Sequence, residues 1–127
     1  MRNKIDYGID LGTTNSALAR MENGVPIIKK SDTLKDTFPS CVHFNKRQDV
    51  LVGDTAFNVM KNDSARALKT FTKGKTNTFT EFKRTMGSAH TYESSNMNKS
   101  FTSEELSAEV VKTLKSVIKD ENISSIV

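Results

Sequence analysis

A short segment near the amino terminus has the residue types and spacing needed to bind a phosphate group. Residues 10–15 read Asp-Leu-Gly-Thr-Thr-Asn and lie between two apolar runs that alternate as in β-strands. A tight turn between such strands presents consecutive backbone N–H groups, which form a concavity that binds anions. Gly12 permits a close backbone approach, and Thr13 and Thr14 add hydroxyl donors. Asp10, expected to be buried at the tip of this hairpin, is suited to hold a hydrated Mg2+ beside the phosphate.

Two common phosphate-binding motifs do not fit this segment. It contains no Gly-Lys-Ser/Thr and its turn leads into a strand rather than a helix, which excludes a P-loop. It also lacks the G-x-G-x-x-G spacing of a dinucleotide-binding fold. An ordinary hairpin with Gly and Thr in its turn accounts for the pattern equally well. The pattern alone therefore leaves both the hairpin and the phosphate loop open.

The size and composition of the chain predict one soluble domain with a modest core. It has 127 residues, of which 35% are hydrophobic and 27% charged, and its formal net charge is +4. So small a positive charge does not argue for a nucleic-acid partner. The sequence shows neither a signal peptide nor an apolar run of membrane-spanning length. The single cysteine, Cys41, excludes an internal disulfide and predicts a buried structural thiol in a reducing compartment, so we expect a cytoplasmic protein.

The first forty residues predict an antiparallel meander followed by a loop. The three expected strands are residues 5–11, 15–21 and 25–29. The Asn-Gly pair at 23–24 favours a hairpin turn between the second and third strands. Pro26, near the start of the third strand, indicates an edge position. Residues 31–40 are polar and end in Phe-Pro-Ser, which predicts a loop.

The rest of the chain predicts short strands and helices in alternation. The expected elements are a hairpin of residues 41–44 and 50–52, a helix over 55–62 that 63–71 can extend, an exposed loop over 71–78, a short helix over 81–86 ended by Gly87, a hairpin or excursion over 88–100, and a helix over 102–121. The last helix is the clearest, because Thr102 and Glu105 form a capping box. Leu106, Val110 and Leu114 then recur on one face of it.

Other residues with chemical potential give weaker signals. His43 and His90 have no cysteine or carboxylate at metal-ligand spacing, so we expect structural or surface roles. The centre of the chain is basic, and we interpret it as a solvated face because Phe79 and Phe82 fit the buried side of the short helix better than a nucleic-acid surface. Residues 123–127 form an apolar run typical of a strand, and a chain that stops there is expected to be cut from a longer one.

Several segments resemble the seventy-kilodalton heat-shock chaperones of the DnaK type. Residues 8–16, Gly-Ile-Asp-Leu-Gly-Thr-Thr-Asn-Ser, resemble the first phosphate loop of that family almost letter for letter. The other matching segments are Phe-Pro-Ser-Cys-Val-His-Phe at 38–44, Val-Gly-Asp-Thr-Ala at 52–56, Lys-Arg-Thr-Met-Gly at 83–87, the helix over 101–114 and the strand at 123–127. Their shared order and spacing make the resemblance specific.

The resemblance implies an α/β fold of the actin-like ATPase (ribonuclease H-like) type, present in part. The chain would contain the opening β-meander of the first lobe and an outer α+β subdomain. Residues 1–37 and 102–127 would form the core subdomain, and residues 38–101 the outer one. Because the second phosphate loop and the adenosine pocket of the family would lie beyond residue 127, we expect little or no ATPase activity and weak nucleotide affinity from this chain alone.

The resemblance also implies site residues for ATP or ADP and Mg2+. It assigns Lys83 to catalysis, the backbone around Gly12, Thr13, Thr14 and Asn15 to the β- and γ-phosphates, and Asp10 to Mg2+ through water. A lysine at the γ-phosphate makes physical sense, because hydrolysis spreads negative charge over the transferring phosphoryl group. Without the resemblance, Lys83 fits an ordinary surface residue of a short basic helix.

The implied function is that of an ATP-hydrolysing chaperone that assists protein folding. Its partners would be unfolded or apolar peptides, held by a domain absent from this sequence, together with J-domain and nucleotide-exchange co-chaperones; no nucleic acid or membrane is expected. Two alternatives share the fold, an actin-like filament protein and a sugar- or acetate-kinase-type enzyme. The Lys-Arg-x-x-Gly segment at 83–87 favours the chaperone. A fourth hypothesis, a binding module formed by the basic centre, predicts salt-sensitive nucleic-acid binding that survives loss of Asp10.

Overall fold

The computed structural model describes residues 7–30, 35–70 and 77–117, without the side chains of residues 66–70. In chain order, its elements are β1 (Tyr7–Leu11), β2 (Asn15–Glu22), β3 (Val25–Lys29), β4 (Phe38–Pro39), β5 (Cys41–Phe44), β6 (Val50–Val52), α1 (Asp54–Thr70), β7 (Thr78–Thr80), a 3-10 helix (Phe82–Thr85), β8 (Thr91–Ser94), β9 (Lys99–Thr102) and α2 (Ser103–Ser116). The architecture is mixed α/β with antiparallel sheets. Predictions for residues 31–34, 71–76 and 118–127, including the strand at 123–127, fall outside the described residues.

The predicted meander is confirmed. β1 pairs with β2, and β2 with β3, all antiparallel and in sequence order. Asn23 and Gly24 both adopt positive φ angles, of 50° and 78°, which suit a two-residue hairpin turn whose twist matches the strands. β3, which contains Pro26, pairs only with β2 among the described residues, as expected of an edge strand.

A fourth strand replaces part of the loop predicted over residues 31–40. Phe38 pairs with Ser16 and Pro39 with Asn15, so β4 adds to the end of β2 beside the β1–β2 turn. The prediction of a loop was wrong because β3 pairs with β2 only from Leu18 onwards, so the first three residues of β2 lie beyond that pairing. The free backbone groups at the start of β2 therefore accept a returning strand that carries no periodicity of its own.

The second sheet has the order β6-β5-β7. The hairpin of β5 and β6 is confirmed, but β7 was predicted as loop and short helix. Phe79 is opposite Val42 in this sheet, and its side chain is buried. A three-residue strand is too short to show a period of two in the sequence, and it forms here because the backbone of β5 supplies its partners.

The helices follow the sequence closely. α1 is a continuous helix of 17 residues, so residues 63–70 do extend the segment predicted over 55–62. The short helix is a 3-10 turn, followed by Gly87 at a φ of 80°. Both bonds of the predicted capping box are present: the Glu105 N–H donates to the Thr102 Oγ1 (3.2 Å) and the Thr102 N–H to the Glu105 Oε1 (3.1 Å). Neither helix, over the residues described, is long and apolar enough to cross a membrane.

One hydrophobic cluster joins the two larger sheets and α2. The predicted stripe of Leu106, Val110 and Leu114 is at most 1% exposed and contributes one side of this core. The rings of Phe44 and Phe101 stack with their centroids 4.4 Å apart, which ties β5 to the β8–β9 hairpin. Because the cluster is shared, the positions of the sheets relative to each other depend on the packing of α2.

Cys41 and His43 are structural residues within β5. Cys41 is 1% exposed, and burial raises the pKa of its thiol to about 11, which confirms the predicted inert thiol. His43 is also buried, and its Nδ1 lies 2.8 Å from the Thr78 Oγ1. Burial lowers the pKa of this imidazole, and the nearby charge of Asp63 offsets part of the effect.

We expect the stability of the chain to fall on mild acidification because of His43. Since the folded state disfavours the imidazolium, the unfolded chain binds the proton at the higher pH. Stability is therefore full above the unfolded pKa of about 6.5 and is lost as the pH falls through it towards the folded pKa. Urea unfolding between pH 7.5 and 5 should show this slope, and His43→Gln should reduce it. An unchanged slope in His43→Gln contradicts the assignment.

Candidate phosphate-binding site

The candidate site is the turn that joins β1 to β2. The last paired residues of the two strands are Leu11 and Ser16, which leaves residues 12–15 to reverse the chain. Asp10 is exposed, so the expectation that it is buried was wrong. Tyr7, Ile9 and Leu11 face the core, and strand alternation sends the intervening Asp10 to the opposite face. Exposure suits a carboxylate that binds a hydrated cation, because such a cation keeps most of its own water.

Gly12 is required by close packing within the turn. A Cβ built on Gly12 would lie 2.1 Å from the backbone oxygen of Asn15, far inside any allowed contact. The close atom is a backbone carbonyl, which cannot rotate away as a side chain can. The turn is therefore tight, as the sequence predicts, and the contact that requires glycine lies within the turn itself.

Three carbonyl groups of the loop are held from outside it. The Lys83 Nζ donates to the Leu11 oxygen (2.5 Å), the Ser40 Oγ to the Gly12 oxygen (2.8 Å), and the Ser40 N–H to the Thr14 oxygen (2.9 Å). No cis peptide occurs among the described residues, so the C=O and N–H of each peptide unit point in opposite directions. The N–H groups that follow these carbonyls are thus directed away from Lys83 and Ser40.

Lys83 reaches the loop from a position 72 residues away in the chain. It lies on the 3-10 helix, whose Phe82 is buried in the core with 1% exposure. Its ammonium group is bonded at the end of β1, immediately before Gly12. The structure thus brings together the predicted catalytic lysine and the predicted phosphate loop, and it places Asp10 on the same strand end.

The 3-10 helix that carries Lys83 is fastened to the start of α2. The Thr85 Oγ1 lies 2.8 Å from the Tyr92 hydroxyl and also contacts the Ser103 Oγ. The Gly87 N–H donates to the Glu104 Oε1 (2.8 Å), and this bond is the main cause that lowers the pKa of Glu104. These bonds fix the position of Lys83 through secondary structure rather than through its own flexible side chain.

A cavity of about 450 Å3 opens beside the loop. Thr14 and Asn15 line one side of it, and Phe57 of α1 lines another. An ion pair of 3.3 Å between Lys35 and Asp54 also borders it. Ser40 also lines this cavity, whereas Asp10, Gly12, Thr13 and Lys83 do not, so the cavity lies on the Ser40 side of the turn and is distinct from the candidate phosphate position.

The donor set fits a nucleotide phosphate with a water-held Mg2+ and does not fit a protein-only metal site. Over the described part of the chain, no three His, Cys, Asp or Glu side chains gather as metal ligands. Mg2+ commonly binds through one or two carboxylates, several waters and the phosphates of its substrate. Asp10 would supply one such carboxylate, and Lys83 would supply a positive charge for the phosphate.

Ser40 is a site residue that the sequence reading missed. It was placed in a loop and matched only as part of the Phe-Pro-Ser segment, without a role. The Phe-Pro-Ser segment and the predicted phosphate loop both resemble the same family. That shared resemblance could have indicated that the two segments lie in contact.

A strand–turn–strand loop that is bonded by a lysine from a distant helix is the arrangement expected of one lobe of an actin-like ATPase. Comparison with known proteins agrees with this class, since a family model described as Hsp70 protein matches residues 6–127. The chain belongs to the Hsp70 family, and it has part of the actin-like ATPase fold.

The curated relatives are chaperones and are much longer than this chain. It is 39% identical over 115 residues to the chaperone protein DnaK of Ureaplasma urealyticum serovar 10, a match covering 91% of this chain and 17% of the relative. It is 36% identical over 119 residues to the DnaK of Thermosipho africanus, covering 91% and 18%. It is 34% identical to the DnaK of Mycoplasmopsis agalactiae, covering 91% and 17%. The chain thus spans less than a fifth of the length of these relatives.

Proposed function

We propose that this chain is the phosphate-binding amino-terminal part of an ATP-driven molecular chaperone. The observation that carries the proposal is the bond from the Lys83 ammonium to the Leu11 carbonyl, directly before Gly12. An ordinary hairpin turn does not require a cationic side chain, such as Lys83, from a helix far along the chain. A phosphate-binding turn does, because a bound polyphosphate brings several negative charges to the turn.

Each site residue has a distinct task in this proposal. The backbone amides of Thr13, Thr14 and Asn15 bind the β- and γ-phosphates, and Gly12 lets the turn close around them. Asp10 orients water molecules on Mg2+, which when bound neutralises phosphate charge. Lys83 leaves its carbonyl partner to contact the γ-phosphate and the attacking water, where it stabilises charge that develops during hydrolysis.

The domain division and the partners belong to the same proposal. Residues 1–37 and 102–127 form the core subdomain of the first lobe, and residues 38–101 the outer one. The whole protein holds unfolded or apolar peptides, works with J-domain and nucleotide-exchange co-chaperones, and resides in the cytoplasm. The family match disfavours the filament and sugar-kinase alternatives.

The direct test is a titration of the 15N-labelled chain with MgATP followed by NMR. We expect the amide resonances of Thr13, Thr14 and Asn15 to shift, with weak affinity and with no ATP turnover above the uncatalysed background. The reason is that one lobe supplies only part of the phosphate contacts and cannot preorganise a transition state. Rapid turnover by the chain alone would contradict this division of the site.

Asp10→Asn tests the metal assignment in the same titration. This variant should bind ATP with an affinity that no longer depends on Mg2+, because the amide cannot hold the metal-bound waters as a carboxylate does. Asp36→Asn is the matched control, since Asp36 is an exposed carboxylate whose partner is Lys30 at 2.8 Å. Absence of any MgATP-dependent shift in the unmodified chain would contradict the proposed phosphate site itself.

A further inference from the structure

Ser40 holds the back of the phosphate loop at two points. It is 2% exposed, and it directly follows β4, 28 residues from Gly12 in the sequence. Its hydroxyl donates to the Gly12 oxygen (2.8 Å), and its backbone N–H donates to the Thr14 oxygen (2.9 Å). One buried residue therefore controls two of the peptide units that form the turn.

The hydroxyl of Ser40 is part of a directed chain of hydrogen bonds. Its Oγ lies 2.8 Å from the Oγ of Ser16, which is 1% exposed. A carbonyl oxygen only accepts, so the single hydroxyl proton of Ser40 is committed to the Gly12 oxygen. Ser16 must then donate to Ser40. Successive hydrogen bonds of this kind polarise one another, which strengthens the hydrogen bond from Ser40 to the Gly12 carbonyl.

The Gly12 carbonyl is the point of the loop most in need of an external restraint. Glycine lacks a Cβ, so the ψ angle of Gly12 permits either orientation of the peptide unit between Gly12 and Thr13, and within the loop only the φ angle of Thr13 opposes its rotation. Rotated by half a turn, this unit would present a carbonyl oxygen in place of the Thr13 N–H. An oxygen in that position would repel a phosphate instead of binding it.

We propose that Ser40 is the positioning residue that fixes the Thr13 and Asn15 amides in the orientation that binds a nucleotide phosphate. Because the C=O and N–H of a trans peptide point in opposite directions, a carbonyl held towards Ser40 turns the following N–H away from it. Ser40 does this for the Gly12–Thr13 and Thr14–Asn15 units together. The inference rests on the proposed function, and it names a residue behind the loop that contacts no phosphate.

The sharpest test compares Ser40→Thr with Ser40→Val in the full 127-residue chain. The two side chains have nearly the same shape, so any overpacking at this buried site affects both equally. Only Ser40→Thr keeps the hydroxyl. We expect Ser40→Val to bind MgATP about tenfold more weakly than Ser40→Thr, the effect of losing one buried hydrogen bond. Ser94→Ala is the control, since Ser94 is equally buried but bonds to Asn77.

A second measurement without nucleotide keeps the two proposals distinguishable. In Ser40→Val we expect the Gly12 carbonyl carbon to lose the chemical shift of a hydrogen-bonded carbonyl and the Thr13 amide resonance to broaden. In Ser40→Thr we expect the hydrogen-bonded shift to remain and the Thr13 resonance to stay sharp. If both variants fail to fold, Ser40→Ala, which removes atoms without adding any, replaces Ser40→Val against the unmodified chain. If the unmodified chain fails to bind MgATP, the proposed function fails, and the loop spectra still decide the role of Ser40.

Equal loop spectra and equal affinities in Ser40→Thr and Ser40→Val would overturn the inference. So would a uniform loss of stability in every Ser40 variant with the Gly12 and Thr13 resonances unchanged, because that result describes a serine that only fills space. Ser16→Ala should have an MgATP affinity between those of the unmodified chain and Ser40→Val, since it removes the donor to Ser40 and leaves the bond to Gly12 in place.

Discussion

Gly12→Ala is expected to abolish phosphate binding and to destabilise the chain by about 3 kcal/mol. The added methyl would lie 2.1 Å from the backbone oxygen of Asn15, so the β1–β2 turn must open to accept it. Opening the turn moves the Gly12 and Thr14 carbonyls away from Ser40 and removes the concavity. Urea unfolding measures the loss of stability, and the MgATP titration measures the loss of binding.

Gly24→Ala provides the matched control for this substitution. Gly24 lies in the next turn of the same meander, at a φ of 78°, with nothing within 4 Å of a built Cβ. An alanine there is strained by about 1 kcal/mol but meets no clash, and MgATP binding should persist. If Gly12→Ala is no more destabilising than Gly24→Ala and still binds MgATP, the assignment of a tight phosphate-binding turn at Gly12 is wrong.

Lys83→Met is expected to lower ATP turnover by about 10²–10³-fold in a completed ATPase domain. A suitable domain is one in which residues 6–127 replace the matching segment of a DnaK relative, so that the second lobe is supplied. The loss should appear in kcat more than in nucleotide affinity, because charge on the transferring phosphoryl increases towards the transition state. Steady-state turnover and nucleotide Kd, measured side by side, separate the two effects.

Arg84→Met is the control for Lys83→Met. Arg84 is the adjacent cation on the same 3-10 helix, its side chain is 68% exposed, and its partner is Glu81 at 3.5 Å. Removal of this charge should change turnover by no more than a few fold. Equal turnover in the Lys83→Met and unmodified domains would exclude a catalytic role for Lys83, even if the phosphate loop binds nucleotide as proposed.

The features predicted correctly from sequence are those set by neighbouring residues. The hairpin turn at Asn23 and Gly24 depends on the φ angles of two adjacent residues, and the capping box at Thr102 on bonds three residues apart. The exposure of Asp10 was equally local, since the alternation of β1 determines it, and the expectation of burial misread that alternation.

The features that the sequence did not reveal depend on pairing between distant segments. β4 and β7 have two and three residues, and each exists because an adjoining strand, β2 or β5, offers free backbone groups. No pattern within such short segments distinguishes them from loops. Their backbone hydrogen bonds come from residues far along the chain.

The sequence by itself determined the tight turn between the first two strands and, through its resemblance, the family, because both follow from consecutive residues. Only the tertiary structure decided that Lys83 meets the Leu11 carbonyl and that Ser40 holds Gly12, across 72 and 28 residues. Those contacts depend on how the helix α2 and the strand β4 pack against the first sheet. Packing of that kind is the outcome of the whole hydrophobic core, which no local spacing encodes.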